Sequence, residues 1–123
     1  TGHASVKLDC QEKIMVAKSD NLTSFTKVAG WSIAPDDSLG QKQDFRDPQA
    51  YFDSSSNKII MTVTASKDGK PRILKYSMDK NLNNVIYEGI IFTDELTDCY
   101  NLECSDTFEL NGKYYRYYYY LHE

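Results

Sequence analysis

Turn punctuation constrains this chain more than any other feature. Asp68-Gly69 and Asn111-Gly112 suit two-residue hairpin turns, because both central positions of such a turn need left-handed backbone. Ser54-Ser55-Ser56-Asn57 and the polar segment 79–84 interrupt the apolar runs in the same way. Between these breaks the residues alternate with period two. Ile59, Met61, Val63 and Ala65 fall on one side of a run that puts Lys58, Ile60, Thr62 and Thr64 on the other. No stretch keeps a helical period for more than a turn or two. Strands at roughly ten-residue intervals joined by tight turns predict an all-β chain of antiparallel sheets. Segments 50–53, 58–65, 72–78 and 85–93 make one four-stranded unit, which is the repeat of a propeller. Segments 106–110 and 114–121 form a hairpin about Asn111-Gly112. Ahead of the unit, 14–17 and 25–28 read as short strands. The loop 29–43 that follows holds Trp31, and loops of such length are often functional. A second loop covers 94–102.

The 123 residues suffice for one domain and not for two. Of 10 tyrosines, most crowd into the segment 114–120, a composition that favours strands. Net charge is −4 with both signs interspersed, and no basic stripe exists to neutralise phosphates, which argues against nucleic-acid partners. Apolar runs such as Ile59-Ile60-Met61 are far too short to span a bilayer. Thr1-Gly2-His3-Ala4 lacks the apolar stretch of a signal peptide, so any targeting segment is expected outside these residues. Cys10, Cys99 and Cys104 are odd in number and lack CxxC spacing, against a disulfide framework or a zinc site; a single Cys99–Cys104 bridge stays open. With only His3 and His122, both terminal, no metal site is expected. Gly69 and Gly112 are turn residues and not a phosphate-cradling loop, so nucleotide binding is unsupported.

Two acidic segments carry the chemistry: Asp44-Phe45-Arg46-Asp47-Pro48 and Glu103-Cys104-Ser105-Asp106. Each follows a loop and opens a strand-like run. Asp47 and Glu103 stand 56 positions apart (103 minus 47), about one propeller blade, and so at matching places in successive repeats. Inner strands of a propeller begin near its axis, and acids at those starts converge on one pocket. Cleaving a glycoside takes two carboxyl groups with opposed roles, and crowding pushes one pKa upward so that it stays protonated. Arg46 can steady a carboxylate or hold a hydroxyl-rich ligand, and Pro48 biases Asp47 toward an extended conformation. On spacing alone, the alternative that these residues merely end a loop and start a strand stays open.

The wording of the two segments resembles glycoside hydrolase family 32, the β-fructosidases. The likeness runs from about Lys13 to Tyr115. Ile14-Met15-Val16-Ala17-Lys18-Ser19 with Leu22-Thr23-Ser24-Phe25-Thr26-Lys27 looks like the stretch before that family's Arg-Asp-Pro loop. Asp44-Phe45-Arg46-Asp47-Pro48 is similar to the signature itself. Lys75-Tyr76-Ser77 and Leu82-Asn83-Asn84-Val85 resemble the strand and turn beyond it, with Val85 where Trp is common. Glu103-Cys104-Ser105-Asp106-Thr107-Phe108 resembles Glu-Cys-Pro-Asp-Leu-Phe, with Ser105 in place of Pro. The resemblance implies a fragment of a five-bladed β-propeller: residues 1–44 ending one blade, 45–94 forming the next, and 103–123 starting a third. It implies a retaining glycosidase acting on sucrose, sucrose 6-phosphate or fructans without a cofactor. Asp47 would be the transition-state stabiliser and Glu103 the general acid/base. Arg46, Asp44, Phe45 and Cys104 would line the substrate pocket. The family's nucleophile segment, Asn-Asp-Pro-Asn-Gly, has no counterpart here, and Asp9 is a poor substitute. The isolated chain is therefore expected to be inactive.

Two other functions compete. One is a non-catalytic carbohydrate-binding module; the other is an interaction module that self-associates through exposed edge strands. Tyr114, Tyr115, Tyr117, Tyr118, Tyr119 and Tyr120 fit a sugar-stacking platform or, alternatively, an arrangement in which alternate rings pack between sheets. Secreted and cytoplasmic locations are both compatible with the resemblance.

Overall fold

The computed structural model describes residues 12–36, 38–39, 44–95 and 101–121. The strands in chain order are β1 Ala17–Lys18, β2 Thr26–Lys27, β3 Phe45–Asp53, β4 Lys58–Lys67, β5 Lys70–Met78, β6 Ile86–Thr93, β7 Asn101–Leu110 and β8 Lys113–Leu121.

 All pairings are antiparallel: β1 with β2, a four-stranded sheet in the order β3-β4-β5-β6, and β7 with β8. No helix occurs among the described residues. The all-β, antiparallel expectation therefore holds.

The turns form where their residues demand. Asp68 and Gly69 have φ of 54° and 70°, and Asn111 and Gly112 have 53° and 72°, left-handed at both central positions of each hairpin. Two strands begin earlier than alternation alone suggests. β3 takes in Arg46-Asp47-Pro48, and β7 takes in Glu103 and Cys104, because each ladder continues past an extra, unpaired stretch. Upstream, only Ala17 of the expected strand 14–17 joins a ladder. Ile14 instead exchanges backbone hydrogen bonds with Ile33 at 2.9 and 3.0 Å.

The two central strands of the four-stranded sheet, β4 and β5, are covered on both faces. One face presents Met61, Val63 and Ala65 of β4 and Leu74, Tyr76 and Met78 of β5, and Ile14, Ile33 and Trp31 pack on it. Trp31 is fixed there by its Nε1–H, which donates to the Leu82 carbonyl at 2.8 Å. The other face receives β7, which packs against β3, β4 and β5. Here Ile73 and Leu102 are fully buried beside Phe92 and Tyr118. Double coverage explains why β4 is buried almost end to end although its residues alternate. Each large apolar side chain so enclosed contributes about 1.5–3 kcal/mol.

The tyrosines of β8 alternate from Tyr115 to Tyr119, while Tyr114, next to the turn, is exposed. Tyr118 points inward, with its ring 5.2 Å from that of Phe92. Tyr115, Tyr117 and Tyr119 face outward and are exposed, Tyr115 stacking on Phe108 at 5.5 Å.

Candidate active site

The same irregularity occurs in β3 and in β7. In β3, Arg46 pairs with Thr64 and Gln49 with Thr62, so Asp47 and Pro48 together oppose Val63. In β7, Glu103 pairs with Tyr119 and Asp106 with Tyr117, so Cys104 and Ser105 oppose Tyr118. The first residue of each bulge is left-handed: φ is 51° at Asp47 and 50° at Cys104. Proline cannot donate to a ladder, and a bulge accommodates Pro48 without a lost bond. The expectation that Pro48 holds Asp47 extended is thereby corrected.

The repeat also shifts the correspondence between the two segments. Asp47 matches Cys104, 57 positions on, and Arg46 matches Glu103 at the same interval. Asp47 and Glu103 are thus neighbours offset by one residue, not equivalents. Left-handed backbone at residues other than glycine is costly and persists where surroundings enforce it. Here the two bulges are tied together: the Cys104 N–H donates to Asp47 Oδ2 at 2.8 Å. Farther along, Gln49 Nε2 donates to the Thr107 carbonyl at 3.2 Å and holds β3 beside β7.

Arg46 is the hub of the charged groups. Its Nη2 contacts Asp44 Oδ1 at 2.6 Å, and its Nη1 lies 3.8 Å from Glu12 Oε1 and 3.9 Å from Glu103 Oε1. Three carboxylates therefore gather about one guanidinium, and a fourth, Asp47, acts electrostatically on Glu12. Asp44 is buried and serves to hold Arg46, whereas the Glu103 side chain keeps 27% of its exposure. Apart from Arg46, no described group bonds the Glu103 carboxylate, which leaves its oxygens open to a ligand. Such a site is rich in acceptors and suits a ligand rich in hydroxyl donors.

Phe45 does not line this site. Its ring is 1% exposed and meets Tyr76 edge-on at 6.4 Å within the core, so it anchors the start of β3. Cys104 has an exposed, free thiol, and its backbone amide makes the contact to Asp47.

Glu12 was not anticipated from the sequence. Its Oε2 accepts the Phe45 N–H at 3.0 Å, capping the first residue of β3. Burial pushes its carboxyl group up, against the pull of the Phe45 amide and Arg46, with Asp44 and Asp47 adding to the rise. Glu12 and Phe45 are 33 positions apart, and no local pattern marks the pairing.

The family model of the glycosyl hydrolases family 32 N-terminal domain matches residues 1–122. The chain belongs to glycosyl hydrolase family 32. No curated protein matches it. The N-terminal domain of family 32 is a β-propeller, and membership makes this a glycoside hydrolase chain whose substrate class is carbohydrate.

Proposed function

We propose that the chain contributes the stabiliser and the general acid/base of a retaining β-fructofuranosidase, within a five-bladed propeller. In this reading 45–94 is one blade, 1–44 ends the preceding blade and 103–123 begins the following one. The hydrogen bond from the Cys104 amide to Asp47 carries the proposal, because it links the two motifs directly.

Glu103 donates its proton to the glycosidic oxygen as the bond to the anomeric carbon breaks. A carboxylate nucleophile takes that carbon, giving a covalent fructosyl intermediate. Glu103, now ionised, removes a proton from water, which releases the sugar and restores both groups. Asp47 accepts hydrogen bonds from fructosyl hydroxyls, and Arg46 with its Asp44 partner fixes the wall of the pocket. The nucleophile is not supplied by these 123 residues. Substrates of this chemistry are sucrose, sucrose 6-phosphate and fructans.

The absent nucleophile motif favours a second reading for the isolated chain, a module that binds sugar without cleaving it. Calorimetry with sucrose, run beside a fructose-release assay on sucrose and levan, tests both. We expect binding that weakens at least tenfold in Asp47→Ala and Glu103→Gln, with no fructose released. Turnover by the isolated chain overturns the assignment of the nucleophile to other residues; sucrose binding indifferent to both substitutions overturns the site.

A further inference from the structure

A separate cleft of about 460 Å³ opens between the far end of β3 and the β7–β8 hairpin. Its volume lies in the range of small-ligand pockets. Its walls include Tyr51, Asp53, Lys75, Thr107, Tyr114 and Arg116, none of which belongs to the acid cluster.

Arg116 is the unusual member. It extends from the inward side of β8, and its Nη1 donates to Thr62 Oγ1 at 3.3 Å and Ser105 Oγ at 3.2 Å. Among the described residues no carboxylate forms an ion pair with it. Burial pulls its guanidinium below the ordinary value, the mark of a cation partly removed from water. Lys75 adds a second positive charge to the same walls, also without an ion pair among the described residues. Asp53, the acid of the cleft, is already occupied: Ser55 N–H, Ser55 Oγ and Ser56 Oγ donate to it at 3.0, 2.8 and 2.6 Å. Asp106 acts on Arg116 electrostatically without pairing to it, and its oxygens already accept the Thr107 N–H at 2.7 Å and the Tyr117 hydroxyl at 2.9 Å. Partly buried cations with no direct ion pair favour an anion, and Arg binds oxyanions through its fork of donors. Tyr51 and Tyr114 supply exposed rings, and Tyr51 senses both Tyr114 and Arg116 electrostatically, which puts the three near one another.

We propose that this cleft is a second ligand site, one that takes a monosaccharide bearing a single anionic group. Arg116 and Lys75 hold the anion, and the tyrosine rings cover the sugar.

Fructose 6-phosphate, inorganic phosphate and fructose are the probes, titrated separately into the 123-residue chain and followed by calorimetry and amide chemical shifts. The sugar phosphate is expected to bind at least tenfold more tightly than either phosphate or fructose, with shifts at Thr62 and Thr107. Arg116→Gln should lower that affinity at least tenfold. Lys75→Gln, at a partly exposed strand position that leaves the hairpin untouched, should lower it about threefold. Asp47→Asn and Glu103→Gln should leave it within twofold. The proposal is overturned by equal binding of fructose or phosphate, by affinity unchanged in both cation variants, by loss of binding in the acid-cluster variants, or by no binding at millimolar ligand.

Discussion

Glu12 ties the segment before the sheet to the first residue of β3, and it does so as a partly buried carboxylate. Because its folded pKa is raised above the ordinary 4.5, the folded state prefers the protonated form. Its contribution to stability is full below pH 4.5 and is lost as pH rises through the higher, folded value. Glu12→Gln keeps an acceptor for the Phe45 amide without the desolvated charge. Urea midpoints measured from pH 4 to 7 should fall for the parent chain and stay flatter for the variant; parallel curves would refute the assignment. At this scale the sequence was informative where a motif is contiguous. Asp47, Arg46 and Glu103 lie in segments of distinct wording, and the structure brings those two segments into contact, whereas Glu12 depends on a long-range contact that no neighbouring residue announces. Phe45, adjacent to the acids in sequence, faces the opposite way because strand neighbours alternate.

Turns and bulges differ in how far they can be foreseen. Asp68-Gly69 and Asn111-Gly112 encode their own backbone, so the hairpins were legible from two residues each. The bulges depend on the partner strand and on where Pro48 falls in the ladder, and neither is a property of a short window. The turn between β3 and β4 has its own lock. Asp53 is pulled down to about 2 by the hydroxyls of Ser56 and Ser55 and by the Ser55 amide. That depressed value adds stability above pH 3.8, which is lost as pH falls through about 2. Asp53→Ala should lower the thermal midpoint at pH 6, with the difference from the parent shrinking toward pH 2. An equal difference at both pH values would show that the substitution acts through something other than the carboxylate.

The molecule as a whole is a central sheet between an N-terminal covering segment and a C-terminal hairpin. The all-β class was readable from periodicity and turn spacing, but the order of stacking was not, since period two does not say what covers each face. Exposed apolar residues collect on β6, with Ile86, Ile90 and Ile91, and on the outer side of β8, with Tyr115, Tyr117 and Tyr119. Contiguous exposed apolar surface beside strand edges promotes association. Light scattering on the isolated chain should report a dimer or larger species, reduced by Tyr117→Lys with Tyr119→Lys. A monomer at high concentration would contradict this.

The link between the bulges joins a side chain on one strand to the main chain of the other. The side chain at position 104 plays no part in the clamp, so what the position demands is an amide hydrogen and a tolerance for left-handed backbone, which glycine and asparagine meet best. Cys104→Pro would delete the donor and, because proline cannot hold a φ of 50°, would unmake the bulge along with the tether.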